Sequence, residues 1–141
     1  MQSILLVDDE TIAGKAFAET LAQFGFCVNL APTYESALRR IAQKRFDAIL
    51  VEFNLRSASG AHPRAGKGLQ LVHRLDQARL HVPILVFTAM NGEHYKRASF
   101  KAGADGFIPK TASILRIVAR LQAHIRRLDR ARSLSTKRGS R

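Results

Sequence analysis

Five polar side chains in this sequence stand at the end of short apolar runs or soon after them, and their types suit phosphoryl chemistry. Asp8 and Asp9 follow one run, Glu52 follows another, Thr88 closes a third, and Lys110 comes shortly after a fourth. Clustered carboxylates suit a hard divalent cation such as Mg²⁺, which prefers oxygen ligands. A hydroxyl and an ammonium opposite them would hold an anionic oxygen group. Gathered in one crevice, these side chains would have the equipment for phosphoryl chemistry.

Taken one at a time, these residues have plainer explanations. Acidic residues such as Asp8 and Asp9 after a strand often only favour the N-terminus of the next helix. Thr88 could be a turn or capping residue, and Lys110 a solvated surface lysine. Glu52 is harder to explain in this way, because a carboxylate directly after an apolar strand is costly unless it is paired or solvated. Their joint placement at strand ends is what indicates a site.

The elements that would position these side chains are five apolar runs separated by helical patterns. The third and fourth runs, Ala-Ile-Leu-Val and Ile-Leu-Val-Phe, do not alternate with polar residues, which is typical of parallel strands covered on both faces. The alternation predicts an α/β fold, a doubly wound parallel sheet that binds ligands at the carboxyl ends of its strands. The predicted strands are 3–7, 26–30, 48–53, 83–87 and 106–108, and the predicted helices cover about 17–24, 34–44, 68–80 and 93–102, with a fifth from about 111.

Four stretches of the sequence carry a resemblance to a known family. They are 4–10 (ILLVDDE), 46–55 (FDAILVEFNL), 86–89 (VFTA) and 103–110 (GADGFIPK). Over about residues 1–125 the chain resembles a response-regulator receiver domain of two-component phosphorelay signalling. The resemblance implies a (βα)5 flavodoxin-like fold with strand order 2-1-3-4-5. It also implies that Phe107 occupies the position of the aromatic switch.

The same resemblance assigns roles to the strand-end residues. Asp8 and Asp9 would form the metal-binding acid pair, with Asp9 the preferred direct ligand. Asn54 would give its backbone carbonyl to the metal. Thr88 and Lys110 would contact the phosphoryl group. The implied cofactor is therefore Mg²⁺.

Glu52 departs from the family pattern, in which an aspartate accepts the phosphoryl group, so the chain is interpreted as an atypical or pseudo-receiver. Asp47 precedes its apolar run and would lie at the wrong end of the strand. The extra methylene moves the carboxylate by roughly 1 Å, and in-line transfer tolerates little misplacement. We therefore expect little or no phosphorylation. Glu52 could imitate part of the phosphorylated state, or it could simply pair with Lys110 and stabilise the fold, which would weaken or abolish Mg²⁺ binding.

A long loop after the acceptor position is a second departure. Residue 56 is arginine where the family usually has proline, and residues 56–67 resemble an insertion. Such loops are commonly functional or disordered. Arg56, Arg64 or Lys67 could fold over the acidic crevice and compete with a metal; the alternative is a flexible, solvated loop.

The charge of the chain is high and uneven. The 141 residues carry a formal net charge of +12, and residues 126–141 hold seven Arg or Lys and one Asp. We interpret 1–125 as the receiver-like domain and 126–141 as a basic helical extension with a disordered end. Such a tail could bind nucleic acid through phosphate contacts, or it could be a solubilising tail or linker. The single cysteine, Cys27, is predicted to be a small buried hydrophobe.

Three functions follow from these observations. The first is a signalling interaction module that binds a sensor kinase, an output protein or a second copy through the fourth helix, fifth strand and fifth helix. The second is a conventional Mg²⁺-dependent phospho-receiver, and the third is a nucleic-acid-binding protein that uses the tail. No metal-ligand histidine spacing, P-loop or nucleophile–base pair indicates a conventional enzyme. Without a signal peptide or a long apolar span, a cytoplasmic protein with no membrane partner is expected.

Overall fold

The computed structural model describes residues 1–55 and 66–139 and contains five strands and five helices in strict alternation. Side chains are described as far as residue 134. The strands are β1 (Gln2–Val7), β2 (Phe26–Ala31), β3 (Ala48–Val51), β4 (Ile84–Thr88) and β5 (Gly106–Pro109). The helices are α1 (Thr11–Ala22), α2 (Tyr34–Gln43), α3 (Lys67–Gln77), α4 (Glu93–Ala102) and α5 (Ile114–Gly139).

The strands form one parallel sheet in the order β2-β1-β3-β4-β5, which confirms the predicted fold class and strand order. Every residue of β3 and β4 is buried. Their sequences are continuously apolar because helices cover both faces of a central parallel strand.

Two apolar layers cover the sheet. On one face, Val7, Val51 and Val86 pack with buried residues of α2 and α3 and with partly buried residues of α4. On the other face, Leu6 and Leu50 pack with buried residues of α1 and α5. Alternate residues of each strand serve opposite layers, and this arrangement fixes the carboxyl ends of the strands at one edge.

The starts of α2 and α5 follow local capping chemistry. Thr33 is the N-cap of α2 and forms a reciprocal capping box with Ser36. The prediction placed the start of α5 near residue 111, whereas α5 begins at Ile114. The reason is Ser113, whose side chain accepts a hydrogen bond from the Arg116 amide at 3.3 Å.

Two side chains that the sequence predicted to be buried are exposed. Cys27 lies on β2, an edge strand, and is exposed, so the prediction of a buried hydrophobe is wrong. Phe24 was expected on the apolar face of the first helix, but it lies beyond the end of α1 and is 37% exposed. The local apolar pattern could not show that Cys27 lies on an edge strand or that Phe24 lies in the turn after α1.

The C-terminal region is helical over a longer span than composition suggested. We expected the end of the chain, 135–141, to be disordered, whereas α5 continues to Gly139. No proline interrupts this stretch, and lysine and arginine are good helix formers.

Arg56, Arg64 and most of the predicted insertion lie outside the described residues. Among the described helices, none is long and apolar enough to span a bilayer.

Candidate functional site

The register of the sheet brings four of the predicted site residues to one edge. Val7 pairs with Val51, so the residues that follow them, Asp8 and Glu52, are neighbours on adjacent strands. Thr88 pairs with Pro109, which directly precedes Lys110. The backbone amide of Lys110 also donates to the carbonyl of Thr88 at 2.8 Å.

The ammonium of Lys110 is the centre of an ion-pair cluster. Its Nζ lies 2.5 Å from Asp8 Oδ2, 3.1 Å from Glu52 Oε1 and 4.0 Å from Glu10 Oε2. The Lys110 side chain is 20% exposed, so water screens these contacts only in part. One cation therefore holds carboxylates from two segments, 8–10 and Glu52, that lie far apart in sequence.

Both carboxylate oxygens of Asp8 are engaged. Oδ2 accepts the hydrogen bond from Lys110, and Oδ1 accepts one from the backbone amide of Glu10 at 3.0 Å. Asp8 is buried, whereas Asp9 next to it is half-buried. Asn54, the predicted carbonyl donor, is half-buried in the turn after β3. The sequence did not predict that Asp8 would be the nearest partner of Lys110.

Glu52 is buried at the carboxyl end of β3, with 11% of its side chain exposed. Its backbone amide continues the strand ladder to the carbonyl of Val7 at 2.9 Å. Oε1 accepts a hydrogen bond from Lys110 at 3.1 Å, whereas Oε2 finds no hydrogen-bond partner among the described residues. An unpartnered buried oxygen is costly, so the contact with Lys110 is the main stabilising interaction seen for this carboxylate.

The environment of Lys110 keeps it protonated. Burial alone would lower the pKa of Lys110, but the hydrogen bond and charge of Asp8, followed by the charge and hydrogen bond of Glu52, raise it above the ordinary lysine value. The ammonium also lies 5.8 Å from the ring centroid of Phe87, which forms one apolar wall of the cluster.

Thr88 lies at the end of the same crevice, and Phe107 lies in the hydrophobic core behind it. Thr88 is fully buried, and its Oγ1 accepts a hydrogen bond from the Met90 amide at 3.2 Å. Phe107 is buried in the layer that packs against α3 and α4. Its carbonyl accepts a hydrogen bond from Arg120 Nη1 at 2.9 Å, which ties β5 to α5.

The carboxylates of this cluster are the candidate ligands for a metal ion. Carboxylate oxygens are the ligands that a hard cation prefers. Here the ammonium of Lys110 already forms ion pairs with Asp8 Oδ2 and Glu52 Oε1. Within residues 1–55 and 66–139, no group of three or more His, Cys, Asp or Glu side chains has a geometry that could hold a metal ion. The residues therefore do not fit Mg²⁺ in this arrangement, because a cation would first have to displace the ammonium from Asp8.

Gly68 is a residue of the site that sequence reasoning missed. It lies in the first turn of α3, directly against the backbone that carries Glu52. A Cβ at this position would clash with the carbonyl oxygen of Glu52 and lie 2.7 Å from that of Phe53. Glycine therefore permits α3 to approach the end of β3. A glycine near a predicted helix start was the only signal in the sequence, and it has commoner explanations.

The chain matches a known protein family over most of its length. The sequence profile of the response regulator receiver domain matches residues 4–122. The response regulator MprA of Mycolicibacterium vanbaalenii is 32% identical over 124 residues, which are 88% of this chain and 50% of that protein. The chain thus spans about half the length of the curated relatives it matches.

Solved structures share the same fold. A response regulator from Chloroflexus aurantiacus, described as putative, superposes with a TM-score of 0.75 at 28% identity and covers 88% of this chain and 97% of its own. A response regulator from Burkholderia pseudomallei, solved with a phosphorylated aspartic acid, a calcium ion and citrate, superposes with a TM-score of 0.73 at 24% identity. It covers 96% of this chain and 75% of its own, and at this identity it supports the fold alone.

Proposed function

Because the chain belongs to the response-regulator receiver domain family of two-component signalling, we propose that it is a signalling interaction module that works without phosphorylation of residue 52. The observation that carries the proposal is the state of the Glu52 carboxylate. It is buried, and Lys110 engages its Oε1 at 3.1 Å. The domain therefore acts by binding other proteins and not by catalysing a conventional enzyme reaction.

Transfer to residue 52 is disfavoured by position and by pairing. The glutamate carboxylate lies roughly 1 Å beyond the place that an aspartate would give it, and a misplacement of about 1 Å can slow a reaction about 100-fold. Oε1 must also leave the ammonium of Lys110 before it can attack, and Oε2 is buried. Both effects lower the rate of phosphorylation.

The site is expected to bind Mg²⁺ weakly. Receiver domains usually bind Mg²⁺ for phosphorylation, with Asp8, Asp9 and the carbonyl of Asn54 as the expected ligands here. The contact of Lys110 with Asp8 at 2.5 Å competes directly with such a cation. We infer that Mg²⁺ binding is weakened in this chain.

The fixed carboxylate–ammonium contact holds the domain in one state. Glu52 presents one negative charge to Lys110, where a phosphoryl group would present roughly two.

The face formed by α4, β5 and α5 is the expected docking surface for a sensor kinase, an output protein or a second copy, which would give a homodimer. Phe100 on α4 and Leu115 on α5 are 44% and 67% exposed, and exposed apolar side chains of this size suit a protein interface. Phe107 lies behind this face as the expected switch residue.

The competing function is a conventional Mg²⁺-dependent phospho-receiver. It is favoured by the presence of Asp8, Asp9, Thr88 and Lys110, which are the remaining parts of such a site. The phosphorylated aspartic acid of the Burkholderia pseudomallei protein illustrates that chemistry in a neighbour. In this chain the acceptor position holds Glu52 instead.

The test is to restore the acceptor with Glu52→Asp and to follow the backbone amides of α4, β5 and α5 by NMR. Acetyl phosphate with Mg²⁺ should shift these signals in Glu52→Asp and leave those of the parent chain in place. Glu52→Gln, which has no negative charge at this position, is the matched control and should not respond either. Equal shifts in the parent and in Glu52→Asp would reject the proposal in favour of the conventional receiver.

A further inference from the structure

The amino ends of the strands form the opposite edge of the sheet, and this edge carries a groove that the Glu52 site does not involve. The groove has a volume of about 890 Å³. It lies between the end of α2, the start of β3, residues 80–82 and the C-terminal part of α5. Its volume falls within the range of about 300–1,000 Å³ that is usual for ligand pockets, so it can take several anchoring side chains.

The C-terminal extension of α5 forms one wall of the groove and is fastened to the domain there. The guanidinium of Arg132 donates a hydrogen bond to the carbonyl of His81. Leu128 is half-buried against the same segment. The extension is therefore packed along the domain at this point, and Leu128, Ala131 and Arg132 line the groove.

The segment opposite this helix has an unusual backbone. Arg79 and His81, neither of them glycine, have φ values of 49° and 56°. This left-handed region is unfavourable for residues with a Cβ, and such conformations persist where surrounding contacts fix them, often at binding sites. Leu80 lies between them and lines the groove.

The groove combines an apolar floor with a basic rim. The half-buried Leu80 and Leu128 contribute apolar surface beside the buried Phe46, and the exposed Lys44, Arg45 and Arg132 stand at the rim. Among the described residues that line it, Asp47 is the only acid. One oxygen of that carboxylate already accepts a hydrogen bond from the Ser3 amide at 2.7 Å. The groove thus offers positive charge around a hydrophobic centre.

We propose that this groove binds an acidic amphipathic helix of a partner protein. The helix inserts apolar side chains over Leu80 and Leu128, while its acidic residues meet the rim cations. This is the helix-in-groove form of peptide recognition. A nucleic acid fits less well, because Phe46 is buried and the groove offers no exposed aromatic ring for base stacking.

The test uses fluorescence anisotropy with defined probes. The first probe is a labelled peptide of about 14 Leu, Ala and Glu residues with apolar side chains at i, i+3, i+4 and i+7, a length at which helices become stable. The second probe has the same composition in scrambled order, and the third is a short DNA duplex. The binding variants are Lys44→Glu with Arg45→Glu, and Ala131→Gln, which fills the groove from an exposed helix position. Their matched controls are Lys96→Glu with Arg97→Glu on α4, and Ala123→Gln on α5.

The amphipathic peptide should bind the parent chain and lose about tenfold or more of its affinity in either groove variant. Both control variants should bind as the parent does. Equal losses in groove and control variants, equal binding of the scrambled peptide, binding of the DNA alone, or no binding of any probe would each overturn the proposal. Glu52 takes no part in this surface, so the result is independent of the proposed function.

Discussion

Lys110 Nζ lies 2.5 Å from Asp8 Oδ2, closer than the 3.1 Å that separates it from Glu52 Oε1. The lysine expected to contact a phosphoryl group is thus bound first to the residue expected to hold the metal. The carboxylate expected to bind a cation and the ammonium expected to bind an anion are therefore paired with each other. This contact disfavours Mg²⁺ binding, and it adds to the misplacement and pairing of the Glu52 carboxylate, which carry the proposal that the receiver needs no phosphorylation.

Removal of the Lys110 ammonium should destabilise the domain. Lys110→Met would leave the buried carboxylates of Asp8 and Glu52 without their shared cation. Because the Lys110 side chain is one-fifth exposed, we expect a loss of about 2 kcal/mol, below the roughly 3–5 kcal/mol seen for fully buried pairs. Urea unfolding measures this loss. Lys101→Met, at an exposed position of α4, is the control, and an equally small effect in both variants would contradict the prediction.

The same substitution should improve binding of Mg²⁺. In Lys110→Met, Asp8 Oδ2 is released from the ammonium that competes with a divalent cation. Isothermal titration calorimetry with MgCl₂ should show an affinity at least about tenfold higher than that of the parent chain. Parent and variant affinities that agree would mean that the ammonium does not obstruct the metal ligands.

Gly68 and Gly14 should respond in opposite directions to alanine. In Gly68→Ala the new Cβ meets the backbone oxygens of Glu52 and Phe53, which cannot rotate away, so overpacking should cost about 2 kcal/mol. In Gly14→Ala the Cβ lies 3.5 Å from the nearest side-chain atom, of Leu30. That helix-interior replacement should stabilise the protein by up to about 1 kcal/mol. Urea unfolding of both variants checks the signs, and a neutral Gly68→Ala would show that α3 can move.

Stability should fall as the pH drops through the range in which histidine titrates. Burial, followed by the charges of Arg127 and Arg120, lowers the pKa of His124 below 6.5 despite the opposing charge of Asp105. The unfolded chain therefore takes up a proton at a higher pH than the folded chain does, and the free energy of unfolding decreases as pH falls below about 6.5.

The measurement is urea unfolding at about pH 8 and about pH 5. His124→Gln should reduce the difference between the two values, whereas His73→Gln, at an exposed position of α3, should leave it unchanged. Identical pH dependence in the parent chain and in His124→Gln would exclude His124 as the cause.

The architecture followed from the sequence because its signals are local. A buried central strand such as β3 must be apolar on both faces. The start of a helix such as α2 is marked by capping residues, here Thr33 and Ser36. The meeting of Asp8, Glu52 and Lys110 followed from the same reasoning, since parallel strands end at one edge. These predictions needed the strand direction, which the alternation of elements indicates, and the strand order, which the family resemblance implies.

The contacts within the site could not be predicted in this way. Whether Lys110 prefers Asp8 or Glu52 depends on side-chain torsions and on differences of a few tenths of an ångström. The close approach of Gly68 depends on where α3 packs. Likewise, the exposure of Cys27 and the groove beside Arg132 follow from tertiary packing, which local sequence patterns do not encode.

The most direct test of the central claim is the intact mass of the parent chain after incubation with acetyl phosphate and Mg²⁺, beside that of Glu52→Asp. We predict that the parent mass is unchanged, because the Glu52 carboxylate is misplaced and bound to Lys110, while Glu52→Asp gains one phosphoryl group. A parent chain that gains one phosphoryl group at residue 52 to the same extent would contradict the account.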